Sequence, residues 1–309
     1  MRKFITLIIF ITITTEVLSQ NITTVDTLTF FAIDSIPYGK SCEGIIIEGL
    51  SGIEYTGNEN RYYAISDEPH KNNAHYYIFS IKITFDSFKV YIDSVLFIKK
   101  NWVRGEAIRR NPNSEFFYIA DERKGKSFIH KILENDELET MFSADHIYNS
   151  GFEGLCFSQD GTKMYVSFER TDNEDNVTKI REYDLNNNSF LDYKYVLDNV
   201  PNDIEKDNGI TELLTVNDST LLVIERAYLK DEKRTSVRVY KTRIPGVIEN
   251  SDLIEKTKLL TSFKDLPSEI KLDNIEGVCF SAGGKELIFV SDNNKSRKQQ
   301  TQFICMKIK

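Results

Sequence analysis

Short apolar runs separated by polar turns fill this chain, and five stretches repeat one pattern: an apolar run, a tight polar turn, and a second apolar run that ends on an acid. The copies are GLSGIEYTGNENRYYAISDE from Gly49, RGEAIRRNPNSEFFYIADER from Arg104, GFEGLCFSQDGTKMYVSFER from Gly151, GITELLTVNDSTLLVIERAY from Gly209 and NIEGVCFSAGGKELIFVSDN from Asn274. The runs are short and rich in β-branched and aromatic residues, which predicts strands rather than helices. QDGT at Gln159, NDST at Asn217 and AGGK at Ala282 are tight-turn chemistries that would join each pair as a hairpin.

Two further strand-like runs follow each of the first four copies. They are HYYIFSIKI and FKVYIDSVLFI, then SFIHKILE and LETMFS, then TKIREYDL and DYKYVLD, then SVRVYKTRI and TKLLTSF. Four strands recurring at a period of roughly 50 residues is the arithmetic of a β-propeller blade. After the fifth copy only QFICMKIK remains, and TLTFFAIDSI from Thr27 can supply the missing strand. The expected fold is therefore an all-β propeller of four-stranded blades, closed by an N-terminal strand. Five blades are favoured. Six would require a degenerate blade between Asn21 and Glu48, which is short for one. No blade buries its own faces, so residues 21–309 are read as one domain.

Residues 1–20, MRKFITLIIFITITTEVLSQ, stand apart from this pattern. Arg2 and Lys3 open the segment, Phe4 to Thr14 is apolar, and the end is small and polar, which are the parts of a secretory signal peptide. The apolar run falls short of the ~20 residues a membrane span needs, so a secreted or periplasmic location without stable membrane insertion is expected. The whole chain carries a formal charge of −8, and loss of the leader leaves about −9, which argues against nucleic acid or anionic lipid as partners. Loops such as TDNEDNVT from Thr171, EKDNG before Ile210 and NNKSRKQQ from Asn293 would shape the faces of the disc.

Chemistry enters through the acids of the repeat. In an antiparallel pair the start of the first strand lies beside the end of the second. Glu106, Glu153, Glu212 and Glu276 open first strands, and Asp67, Asp121, Glu169, Glu225 and Asp292 close second strands. Both sets are expected at one mouth of the central channel, with Ser51 in place of the glutamate in the first copy. Crowded carboxylates need protons or cations, and an oxygen-only set suits calcium, with magnesium second. Hydrogen bonding between blades is an alternative role for the same acids. Arg123, Arg170 and Arg226 follow three of the strand-two acids. They would form ion pairs or clamp an anionic substrate.

Other signals are weaker. Cys156 and Cys279 share a slot of the repeat and read as small apolar residues, whereas Cys42 and Cys305 could pair if the chain ends meet. Four cysteines do not make a disulfide scaffold in 309 residues. There is no GxSxG elbow, since Gly49-Leu50-Ser51-Gly52 continues with Ile53, and no HExxH, P-loop or GxGxxG motif. His70 and His75 lie near the predicted mouth but outside the repeated slots.

The order GLSGIEY…YYAISDE, GFEGLCFSQDGTKMYVSFE, GITELLTV…LLVIER and DNIEGVCFSAGGKELIFVSDNN…TQF resembles the phytase-like propeller family labelled "esterase-like activity of phytase". The resemblance covers the chain from about Leu28 onward. It implies an exported propeller that cleaves esters or phosphoesters; a small anionic or ester substrate and a monomeric chain are expected. A mechanism like that of calcium-dependent propeller phytases would have calcium bridge substrate and carboxylates. A non-catalytic binding propeller and a lactonase-like enzyme are the alternatives.

Overall fold

The computed structural model describes residues 24–146, 150–170, 176–200, 208–229, 234–246, 251–262, 266–267 and 270–309. The leader expected at residues 1–20 and much of the loops opening at Thr171 and Glu205 lie outside the described residues. Strand β1 (Leu28–Ile36) comes first, followed by a small hairpin of β2 (Ser41–Cys42) and β3 (Ile45–Ile46). Blade 1 contains β4 (Leu50–Tyr55), β5 (Arg61–Ser66), β6 (Asn73–Ile83) and β7 (Phe88–Asn101). Blade 2 contains β8 (Gly105–Arg110), β9 (Phe117–Arg123), β10 (Lys126–Ile132) and β11 (Leu138–Asp145). Blade 3 contains β12 (Phe152–Phe157), β13 (Lys163–Phe168), β14 (Val177–Asp184) and β15 (Ser189–Val196). Blade 4 contains β16 (Gly209–Asn217), β17 (Thr220–Leu229), β18 (Arg234–Arg243) and β19 (Glu255–Ser262). Blade 5 contains β20 (Asn274–Phe280), β21 (Glu286–Asp292) and β22 (Thr301–Ile308).

Every blade is a four-stranded antiparallel sheet in sequence order, except that β1 completes blade 5 in the order β1-β22-β21-β20. Leu28 pairs with Ile308 and Ile36 with Thr301, so the two ends of the chain close the ring as one ladder. The result is a five-bladed β-propeller with no long apolar helix among the described residues.

Burial falls from channel to rim. The inner strand β12, FEGLCF, is buried at every position, whereas the outer strand β11 has a single buried residue. An inner strand is covered on both faces by neighbouring blades, so its sequence reads as a nearly unbroken apolar run. Five principal apolar cores lie at the five seams between blades. Ile65, Ile108 and Ile119 join blades 1 and 2, and Ala120, Leu155 and Phe157 join blades 2 and 3. Tyr165, Tyr195, Leu213 and Val223 join blades 3 and 4, and Leu222, Val239 and Phe289 join blades 4 and 5. The closing seam packs Phe79 of blade 1 on Phe303 of blade 5, with ring centroids 5.0 Å apart. Cys42 and Cys305 border this same seam as free thiols, and Cys156 and Cys279 are buried as small apolar residues.

The closing seam is thus an ordinary interblade core assembled from the two chain ends. Phe303→Ala should lower the unfolding free energy by about 3–5 kcal/mol, read from the urea midpoint. A loss under about 1 kcal/mol would mean that the seam relaxes around the cavity.

Candidate active site at the channel mouth

Each inner strand carries a β-bulge near its start. The register between first and second strand slips by one residue at Leu50/Gly52, Gly105/Ala107, Phe152/Leu155, Ile210/Glu212 and Ile275/Gly277. A bulge leaves one residue unpaired and re-aims its side chain. The equivalent bulge positions are Ser51, Glu106, Glu153, Thr211 and Glu276. The residue after each is Gly52, Ala107, Gly154, Glu212 or Gly277, where neighbouring inner strands approach closely. A Cβ on Gly154 would lie 2.5 Å from the Leu213 nitrogen, and one on Gly277 would lie 2.9 Å from the Gly52 Cα.

The same register defines a second ring at the ends of the second strands. Leu50, Gly105, Phe152, Ile210 and Ile275 face Ser66, Asp121, Phe168, Glu225 and Ser291. The next residues are Asp67, Glu122, Glu169, Arg226 and Asp292, which occupy the outer ring. Successive side chains of a strand point to opposite sides, so this one-residue offset separates the expected acids into two groups.

Six of the nine acids named from the sequence come together: Glu106, Glu153 and Glu276 on the bulges, with Asp67, Glu169 and Asp292 around them. Glu122 joins them. Their electrostatics record the crowding. Burial, then Asp67, Glu122 and Glu276, push the Glu106 carboxyl well up against the opposing charge of Arg104. Glu153 is pushed well up by burial, then by Glu106, Glu169, Glu276 and Glu122. Burial raises Glu276 to about 8 despite Arg226, and burial with Asp292 and Glu68 raises Asp67 to about 7 despite Arg104. Arg226 lies 3.2 Å from Glu276 and 3.6 Å from Glu169, and Arg104 lies 3.4 Å from Asp67. Two ring acids also clasp neighbouring blades: Asp292 accepts the Gly49 N–H at 2.9 Å and Glu122 accepts the Gly151 N–H at 2.8 Å.

The other three acids lie elsewhere. Asp121 turns into blade 2, where it takes Arg123 at 2.8 Å and His130 at 3.1 Å. Burial would raise it, but these partners and the Arg104 N–H carry it below its usual range. Glu225 is held in the seam of blades 3 and 4 by the Tyr195 hydroxyl at 2.9 Å, the Asp198 N–H, Asn208, Arg238 and Lys256. Glu212, one residue past the bulge, reaches into the channel toward Arg109 at 2.7 Å. Of the three candidate arginines, Arg226 spans the ring, Arg123 is paired with Asp121 and lies over Phe128, and half-buried Arg170 follows Glu169. Buried His75 bonds the Tyr77 hydroxyl at 3.1 Å, and burial lowers it to about 4.

Arg109 of β8 was not singled out from the sequence. It is 4% exposed, and its guanidinium closes the channel below the acids. It donates to the carbonyls of Leu155 at 2.8 Å, Val278 at 3.1 Å, Leu213 at 3.2 Å and Ile53 at 3.5 Å, reaching one inner strand in each of the other four blades. Glu54 at 2.6 Å and Glu212 complete its shell. Burial alone would lower the Arg109 pKa, but Glu212 and Glu54 more than offset it and the group stays charged. The mouth is therefore a blind cup, open on one side and floored by an arginine.

The cup has an uneven wall. Blade 4 places Thr211 and Arg226 where the other blades place mostly acids. The Thr211 hydroxyl, on a residue 1% exposed, finds no hydrogen-bond partner among the described residues. The calcium expected from the sequence meets a geometric difficulty. Among the described residues no three His, Cys, Asp or Glu side chains converge as ligands of one ion, and two ring acids are engaged by backbone N–H groups. As arranged, the ring does not fit a single-ion cage.

Fold and site together define a five-bladed propeller with an acidic cup floored by an arginine. The chain belongs to the Phytase-like family, described as "esterase-like activity of phytase", whose model matches residues 45–295. Among solved structures, a protein from Lactobacillus plantarum is similar, with 12% identity over 78% of this chain and 77% of that one and a TM-score of 0.41. The β-propeller domain of Cps50 (Swd1) from Myceliophteria thermophila is also similar, with 9% identity over 82% of this chain and 69% of that one and a TM-score of 0.38. No curated protein matches the chain.

Two outcomes follow from this geometry. A carboxyl raised on folding binds its proton more tightly in the folded state, so its stabilising contribution is complete below the unfolded value near ~4 and is lost as pH rises through the folded value. With Asp67 raised to about 7 and Glu276 to about 8, the metal-free protein's melting temperature should fall between pH 5 and pH 8. Glu153→Gln with Glu276→Gln should flatten that slope, and an unchanged slope would place the titration elsewhere. Removing the floor should be severe. Arg109→Met leaves Glu54, Glu212 and four carbonyls without their donor and should cost about 3–5 kcal/mol in chemical denaturation.

Proposed function

We propose that the acidic cup is the catalytic site of an exported hydrolase of phosphoesters or carboxylic esters. The observation that carries this reading is the pairing of strongly raised carboxyls with Arg226 and Arg104 in one blind cup. A carboxyl raised to about 8, as Glu276 is, keeps its proton at neutral pH and can donate it to a leaving oxygen. Asp67, raised to about 7, is partly ionised there and can accept a proton from an attacking water. Arg226 stands beside Glu276 and can hold the charge that develops on the ester oxygens. The Arg109 floor prevents through-flow, so substrate and product share one entrance. Family membership favours ester chemistry, and the Phe4–Thr14 leader favours export of the mature domain.

The test uses the chain without residues 1–20, stripped with chelator and assayed on phosphomonoesters, short-chain esters and lactones with and without added calcium. Turnover of an ester class that falls at least tenfold in Glu276→Gln, with folding unchanged by circular dichroism, is expected. No turnover of any class under either condition would overturn the hydrolase reading and favour a binding propeller, whose acids serve as interblade clasps. Dependence of turnover on calcium would bring an ion into the reaction.

A further inference from the structure

The one blade without an acid in either ring borders a cavity. The space, about 640 Å³, lies between blades 4 and 5 and is lined by Arg226 and Tyr228 of β17, by Lys271, Leu272 and Asn274 before and at the start of β20, and by Lys298 in the β21–β22 loop. Its volume is that of a site for a small organic molecule. It adjoins the cup, because Arg226 and Asn274 of its lining bond each other and both touch Glu276.

The charge of this cavity opposes that of the cup. Lys271 and Lys298 are exposed and form no salt bridge among the described residues. The carboxylate in the lining, Asp273, is 6% exposed, feels Lys271, and accepts the Gln300 N–H at 2.8 Å. The loop carrying Lys298 is pinned by that bond and by Asn293, which donates to the Ile47 carbonyl at 2.9 Å. Tyr228, 44% exposed, and Leu272 add an apolar wall. Two ammonium groups beside an aromatic and an aliphatic surface suit an organic carboxylate better than a densely charged inorganic anion. The latter would gain nothing from the apolar wall.

We propose that this cavity binds the carboxylate-bearing apolar part of the substrate, so that the substrate class is an ester carrying a free organic acid group. The proposal rests on the hydrolase reading for its reaction, but its binding step is independent of turnover. Benzoate, inorganic phosphate and neutral benzyl alcohol are titrated by calorimetry into the mature domain and the Lys271→Gln/Lys298→Gln variant. The expected result is benzoate binding that weakens at least tenfold in the double-lysine variant, with weaker binding of the other two probes to the mature domain. Benzoate affinity unchanged by the lysine substitutions, no benzoate binding, or phosphate binding more tightly than benzoate would overturn the assignment. Absence of ester turnover with benzoate binding intact would instead overturn only the hydrolase reading. A melting temperature of the double variant within a few degrees of the parent confirms that folding is not the cause.

Discussion

The structure depends on a single buried guanidinium. Arg109 sits on the propeller axis and donates to an equivalent carbonyl in each of the other four blades. Inner strands of a propeller run side by side without pairing, and just past the bulge four of them offer a carbonyl to Arg109. In a dry channel those oxygens would be unsatisfied, at a cost of several kcal/mol. A planar group with five donors answers several of them at once. Glu54 and Glu212 keep it charged, and the close approach at Gly52, Gly154 and Gly277 brings the strands within its reach. A buried ion pair is weak evidence for net stability. Its evident effect is to fix how the five blades meet and to seal one end of the cup.

Sealing the floor changes what the acids above it do. Burial is the largest influence on Glu106, Glu153 and Glu276, and neighbouring carboxylates push each of them further up. The same carboxylates on an open surface would be screened and ordinary. Closure of the channel is thus what raises these carboxyls above their usual range. Arg226 and Arg104 temper the repulsion at two places only, which leaves the ring chemically asymmetric. Blade 4, with Thr211 and Arg226 in the two ring positions, is the one break in the acidic wall.

The fold was legible in the sequence because propeller blades are written in strand-turn-strand units whose apolar runs and turns recur. Even the closing strand could be counted. The site was only partly legible, and the reason is register. Aligning copies on their acids placed Glu212 with Glu153 and placed Asp121 and Glu225 with Asp67. Each assignment is one residue off, which in a strand sends a side chain to the opposite side. Aligning instead on the apolar residue after each bulge, namely Ile53, Ile108, Leu155, Leu213 and Val278, gives Thr211 and Arg226 as the ring members of blade 4. Arg109 carried no repeated signal, because its role requires that only one blade supply it. A residue on a symmetry axis serves every copy and so appears in none of the others.

That asymmetry bears on how a repeat protein acquires a site. Five identical blades would place five like charges on the axis, and five carboxylates or five arginines there would repel one another. One arginine, one opposing Glu54 and two small thiols at the equivalent positions Cys156 and Cys279 satisfy the channel without that repulsion. The same reasoning applies one layer up, where Ser51 and Thr211 interrupt the glutamates. Each departure from the repeat relieves charge at the axis and opens a direction of approach, so chemistry in this fold resides where the blades differ, on a frame held by what they share.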